Sequence, residues 1–152
     1  MREAFVKRRD QLPGLLNSRG LTGVGVEVGV QRGAYSETIL AGSRLAELIL
    51  VDPWREFADY QDIANVAQAA HDRILVEART RLGRFGRRAN FLRTTSLEGA
   101  TEIVDQNVAS RRPPPATAAV VTLPSGIALT SDAKVWQCAA GGTVASAVPY
   151  AM

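Results

Sequence analysis

The sequence predicts an α/β fold, a three-layer sandwich of helices around a mostly parallel sheet that is shortened at its C-terminal side. Three observations predict it. The run Val24 to Val28 is β-branched at every second position and passes into a glycine-bearing turn, as a strand entering a helix does. A second apolar segment, Ala46 to Val51, closes on an acid, Asp52. A long stretch with helical periodicity separates that acid from the next apolar run, so strand and helix alternate, and alternation builds a parallel sheet.

Taken in order, residues 3 to 12 read as a short basic helix that Pro13 interrupts, part of a helical appendage over residues 1–20 that Gly20 ends. Val24 to Val28 is the first strand. Gly29 and Gly33 let the backbone turn tightly and approach a ligand, and a crossover helix should begin near Ala34 to Ser36 and run to Leu45. Ala46 to Val51 is the second strand. From Ile63 to Leu82 apolar residues recur at 63, 67, 70, 74, 78 and 82, a helical stripe expected to face the sheet, with Gly83 and Gly86 ending it. Ala89 to Thr94 gives a third strand. Thr95 and Glu98 then have capping-box spacing for a helix running to about Val104.

With 152 residues, 46% apolar and 22% charged, the chain has ordinary globular usage and reads as one domain, residues 1–152. The net charge of +3 is modest, the charged start is no secretory signal, and the apolar runs are far too short to span a membrane. A cytoplasmic protein with no membrane partner is expected. Cys138, the single cysteine, can form no internal disulfide and has no metal-ligand spacing around it, so it reads as a small core residue. No metal site is expected.

Ligands of open α/β sheets sit beyond the carboxyl ends of the strands, so the Gly29 to Gly33 turn and Asp52 should converge on one crevice, with Glu27 and Asp52 facing it. The glycine spacing discriminates among cofactors. A dinucleotide fold requires G-x-G-x-x-G and a P-loop requires G-x-x-x-x-G-K-[ST], and neither is present. What stands here is E-x-G-x-x-x-G with an acid 23 residues past Gly29 and no lysine in the loop. An uncharged nucleoside is the expected ligand.

These residues resemble class I S-adenosylmethionine-dependent methyltransferases of Rossmann-like fold, specifically small bacterial-type members reading VEVGVxRGxxS…LxxVDPW, over roughly residues 10 to 103. The resemblance implies S-adenosylmethionine as cofactor. It implies that Glu27, Gly29, Val30 and Gly33 form the first cofactor motif, that Asp52 accepts hydrogen bonds from both ribose hydroxyls, and that Pro53 and Trp54 flank the adenine. Thr95 and Ser96 fall at the turn after the third strand, where the family often carries an acid for the adenine amine; the Thr95 hydroxyl can accept a hydrogen bond but brings no charge. The implied activity is in-line methyl transfer to O, N or C of a small-molecule acceptor. In such a reaction the protein chiefly aligns donor with acceptor and excludes water, with a base needed only when the acceptor must lose a proton. No residue of the sequence is identified as that base.

After residue 103 the composition changes: residues 103–152 hold only five of the chain's 33 Asp, Glu, Lys and Arg. The resemblance implies a fourth strand ending in an acid, commonly within an Asp-x-x-His motif. Ala118 to Leu123 reads as a strand, yet Pro124-Ser-Gly126 follows it. Asp132 to Trp136 resembles the family's next helix, and Gly141 to Ala145 its turn into a fifth strand, with Ala140 in place of a proline. Residues 104–152 are thus an atypical C-terminal part, truncated relative to the family. One explanation is a shifted reading frame or degenerated gene from about Asp105 to Ser131; the other is a diverged but intact domain with a Pro-rich loop, and the other frames of the coding DNA distinguish them.

Plainer readings stand beside these. Glu27 and Asp52 could be ordinary strand-end acids, although both falling beside a glycine turn favours the cofactor. Arg79, Arg81, Arg84, Arg87 and Arg88 could bind nucleic acid, but with Phe85 the sole aromatic among them they read as a solvated face complementing a helix dipole. His71, the only histidine, has the titration range of an acid or base, and reads as a surface or packing residue. Trp54 could be core, but its position beside Asp52 favours a cofactor wall, and Trp136 reads as core. Three functions stay open: a small-molecule methyltransferase, a binding-only or inactive methyltransferase remnant, and a nucleic-acid-binding module, of which nucleic acid is the least expected partner. A shortened sheet would expose an edge, and self-association as a homodimer through that edge follows from its unpaired backbone groups.

Overall fold

The computed structural model describes residues 8–59 and 63–109 and four strands between residues 118 and 149, with side chains through Ile103. The chain is mixed α/β. A single turn of 3-10 helix, Arg9–Gln11, leads into α1, Leu12–Ser18. Then follow β1, Val24–Val28; α2, Ala34–Gly42; β2, Glu47–Val51; α3, Gln68–Leu82; a second 3-10 segment, Gly83–Arg88; β3, Ala89–Leu92; and α4, Ser96–Ala109.

The three strands form a parallel sheet in the order β1-β2-β3, with Val26 opposite Ile49 and Leu50 opposite Phe91. Alternation along β2 splits the core between the two faces of the sheet. Leu48 and Leu50 join Leu12 and Leu16 of α1, Ile39 and Leu40 of α2, and Leu75 and Leu82 of α3. Ile49 and Val51 join Val26 in a second cluster that Ile103 of α4 packs against. Gly99 allows that approach, since a Cβ there would stand 3.0 Å from a Val51 methyl.

Pro13 does not interrupt a helix. It lies in the first turn of α1, where its missing N–H has no intrahelical partner to lose, and its fixed φ suits the helix. The expected basic helix over residues 3 to 12 is therefore replaced, within the described residues, by a helix that starts at Leu12; residues 1–7 lie outside them. α1 belongs to the core, since Leu12 and Leu16 are fully buried. Asn17 fastens it to the end of α2 by donating to the Gly42 carbonyl at 2.8 Å and accepting from the Arg44 amide at 2.9 Å. Gly20, at φ 66°, closes the helix as expected.

The helix expected from Ile63 begins only at Gln68, and Ile63 is 99% exposed. Residues 56 and 57 are instead tied to residues 65 and 68 through side chains. Asn65 accepts from the Phe57 amide at 2.9 Å and donates to its carbonyl at 2.7 Å, while Gln68 and Glu56 exchange a similar pair. The inward stripe of α3 is Leu75, Ala78 and Leu82. Its end at Gly83 and the left-handed Gly86, at φ 54°, agree with the sequence. So does the capping box of α4: the Glu98 amide donates to the Thr95 hydroxyl at 3.3 Å and the Thr95 amide to the Glu98 carboxylate at 3.2 Å. The helix continues to Ala109, past the expected Val104.

The C-terminal part departs from a mostly parallel sheet. β4, Ala118–Leu123, β5, Gly126–Ser131, β6, Lys134–Cys138, and β7, Val144–Pro149, form a separate antiparallel sheet in chain order. Only two residues separate β4 from β5 and β5 from β6, too few for a parallel crossover, so hairpins result. The helix expected at 132–136 is strand β6 over its last three residues; of the turn expected at 141–145, residues 141–143 lie outside the described residues, and Val144 and Ala145 belong to β7. β4 lies alongside β1. The Arg111 to Pro115 segment and the side chains of Trp136 and Cys138 lie outside what is described.

Candidate cofactor site

β1 and β2 end level with one another, and the ladder carries one bond further: the Gly29 amide donates to the Val51 carbonyl at 2.9 Å. Asp52 is the first residue past β2, and its own amide reaches the Leu92 carbonyl of β3 at 3.3 Å. The glycine turn and the acid thus meet at the carboxyl end of the sheet, as the sequence requires.

The turn from Gly29 to Gly33 is built from left-handed residues. Gly29, Gln31 and Gly33 have φ of 82°, 49° and 72°. Gly33 is the residue before α2, and a Cβ on it would lie 3.0 Å from Leu82 Cδ1, so α3 as well as the backbone angle demands glycine there. Gly29 is exposed, whereas Val30 is 5% exposed and belongs to the core.

Asp52 holds the turn closed. Its Oδ2 accepts from the Gln31 amide at 2.9 Å and its Oδ1 from the Trp54 amide at 2.8 Å. The Trp54 indole N–H then donates to the Gln31 carbonyl at 3.0 Å. Trp54 is left-handed too, at φ 39°, and with Gln31 it completes the non-glycine residues of positive φ among those described. One carboxylate, 9% exposed, therefore ties two strained backbone positions to each other.

The expectation that Trp54 forms an adenine wall does not match this arrangement. The indole is fully buried, its centroid 5.9 Å from that of Phe91, because the left-handed backbone and the bond to Gln31 turn it inward. Pro53 is half-buried, and its carbonyl and that of Trp54 accept from Arg93, at 3.4 and 2.9 Å. Arg93 is braced by Asp72 at 2.9 Å, and Gln68 donates to the same Trp54 carbonyl at 3.2 Å. The hydrogen bond from Arg93, with a second from Gln68, holds the Asp72 carboxyl below its usual range. This clamp was not legible from spacing, since Gln68, Asp72 and Arg93 form no motif.

Glu27 is 1% exposed within β1, on the face that α2 covers. Burial, and then the Glu27 charge, push the Tyr35 phenol up to about 12. The Tyr35 hydroxyl donates to the Arg9 carbonyl at 3.2 Å, with the Arg9 guanidinium over its ring. Thr95 serves as the cap of α4, its hydroxyl donating to Glu98 at 2.8 Å, and Ser96 is an exposed first-turn residue. The bond from that hydroxyl also holds the Glu98 carboxyl below its usual range.

The arginine cluster is largely committed to the fold. Arg81 and Arg84 both pair with Glu37, Arg88 donates to the carbonyls of Leu45 and Ser43, and Arg79 lies over Phe91. Arg32, inside the glycine turn, pairs with Glu77. His71 is half-buried on the first turns of α3, the same turns that Gln68 and Asp72 tie to the Asp52 segment. Two shallow depressions lie on the exposed face of α3, around Val76 and Glu77. Among the described residues no group of three or more His, Cys, Asp or Glu gathers as metal ligands, and no helix is long and apolar enough to cross a membrane. No protein-family model matches the chain, and no curated protein is significantly similar to it.

Proposed function

We propose that the chain binds S-adenosylmethionine at the carboxyl end of its parallel sheet and transfers the methyl group to a small-molecule acceptor. The observation that carries this reading is Asp52, one residue past β2 and bonded through its carboxylate to the glycine turn that follows β1. A carboxylate there suits a vicinal diol, because its two oxygens can accept from two adjacent hydroxyls. The Gly29 turn, exposed and left-handed, lets backbone approach the ligand closely.

The Asp52 carboxylate and the exposed Gly29 turn suit the group in chemistry. Asp52 would hold the ribose and Gly29 to Gly33 the backbone side of the nucleoside, with Glu27 supplying negative charge beneath. The cofactor brings an electrophilic methyl on a sulfonium; the chain's part is to orient it and keep water out. No described residue is given the role of base.

A second reading has its own observation. Both oxygens of Asp52 already accept backbone amides, so the acid can be purely structural, and the protein a remnant that binds nothing. Calorimetry with S-adenosylmethionine and S-adenosylhomocysteine on the full chain and on Asp52→Asn separates the two. Binding by the parent, weakened about tenfold or more in the variant as expected for a lost charged hydrogen bond, supports the proposal. No heat from the folded parent, or equal affinity in both proteins, refutes it.

A further inference from the structure

We infer that Asp52, Gln31 and Trp54 form a latch that must open for an adenosyl ligand to reach the carboxylate. The inference rests on the proposed cofactor reading and adds a regulatory step to the same site. Three bonds define the latch: Gln31 N–H to Asp52 Oδ2 at 2.9 Å, Trp54 N–H to Asp52 Oδ1 at 2.8 Å, and Trp54 Nε1–H to the Gln31 carbonyl at 3.0 Å. Each oxygen of the acid is taken by a backbone amide, and the residue is 9% exposed, so ribose hydroxyls gain access only by displacing those amides.

Displacement is coupled. Gln31 and Trp54 hold left-handed backbone angles, of 49° and 39°, that side-chain-bearing residues avoid unless surrounding bonds enforce them. Once the carboxylate turns to another partner, neither residue has the acceptor that enforced its conformation, and both relax together. The indole N–H loses its alignment with the Gln31 carbonyl in the same motion, which draws the fully buried ring from the core. The motion has a fixed pivot. The Trp54 carbonyl stays anchored by Arg93 at 2.9 Å and Gln68 at 3.2 Å, so the change is confined to residues 52–54 and the facing glycine turn. The latch thus sets ligand affinity through its own stability, because affinity is reduced by the fraction of molecules that are closed.

The chain has two tryptophans, so Trp136→Phe leaves Trp54 as the sole indole reporter. S-adenosylhomocysteine is titrated into that full-length variant, followed in parallel by Trp54 emission and by calorimetry. A red-shifted, acrylamide-quenchable emission that saturates with the calorimetric isotherm is expected. Calorimetric binding with unchanged emission overturns the latch while sparing the cofactor reading; absence of calorimetric binding overturns the reading and the latch with it. A second pair of variants keeps the test independent of one fold-sensitive substitution. Gln31→Gly relieves strain in the closed form and should weaken binding, whereas Trp54→Phe removes a bond of the closed form and should tighten it, each by about three- to tenfold. Gln31→Gly alone decides if Trp54→Phe does not fold: unchanged or tighter binding overturns the latch.

Discussion

Replacing Gly33 with alanine tests whether the turn after β1 needs glycine for its own packing. Two effects act against the substitution. The φ of 72° forces the new residue into the left-handed region, at about 1–2 kcal/mol. Its Cβ would also stand 3.0 Å from Leu82 Cδ1 and 3.3 Å from Cγ, with the Ala78 Cα at 3.6 Å. Leu82 and Ala78 are both fully buried and cannot swing away, so overpacking adds about 1–3 kcal/mol. The lower entropy of the unfolded alanine chain returns roughly 0.4–1 kcal/mol, leaving a net loss of about 1–5 kcal/mol. Gly20→Ala is the control, since Gly20 has φ 66° and nothing within 4 Å of its Cβ position. It should lose only about 1 kcal/mol, the backbone part alone. Urea unfolding of both variants at equal m reads the difference directly. Equal losses, within about 0.5 kcal/mol, would show that Leu82 gives way and that the packing argument is wrong. The result also bears on function. Because Gly33 is required by α3, lost cofactor binding in Gly33→Ala says nothing of ligand contact, and Asp52→Asn is the more informative variant.

Thr95→Ala should destabilise the protein by about 1 kcal/mol through loss of the α4 cap, seen as a lower urea midpoint; an unchanged midpoint would remove the cap from the account. The same variant should lose acid sensitivity. The Glu98 carboxyl lies below its usual range when folded, so its contribution is present above the ordinary carboxylate pKa and vanishes as pH falls through the folded value; in Thr95→Ala the stability of α4, followed by far-ultraviolet dichroism, should depend less on pH in that window. For Tyr35 the direction reverses: its phenol is raised from 10.0 to about 12 in the fold, so the associated stability is complete below pH 10 and is lost between there and about 12. Tyr35→Phe should therefore flatten the alkaline decline measured by urea unfolding, and parallel pH curves for the two proteins would contradict the assignment.

The elements that the sequence predicted well are those whose signal is local and periodic. Val24–Val28 alternates β-branched residues and is a strand over that same range, and Thr95 with Glu98 meets in the expected box because a cap depends on residues three apart. The misread ones depend on partners distant in sequence or on context a residue type does not encode. Ile63 satisfied the helical period, yet Asn65 and Gln68 satisfy backbone groups of Phe57 and Glu56 and keep that stretch out of the helix. Pro13 looked like a break because proline disrupts a helix interior, and is harmless where the first turn has no acceptor for its N–H.

Asp52 and Trp54 bring the two kinds of information together. The position of Asp52 at the strand end was legible because a parallel register of β1 and β2 puts it beside Gly29 regardless of side-chain detail. The direction in which Trp54 points was not, because tryptophan carries no preference for the φ of 39° that turns its ring inward. That angle is enforced by an acceptor on Asp52 and a carbonyl on Gln31, 23 residues earlier. A motif therefore locates such a site while leaving open which of its polar atoms the protein spends on itself. Here the protein uses both oxygens of the acid that the motif marks for a ligand, so under the proposed reading the strength of the Gln31 and Trp54 contacts is the quantity that would govern binding.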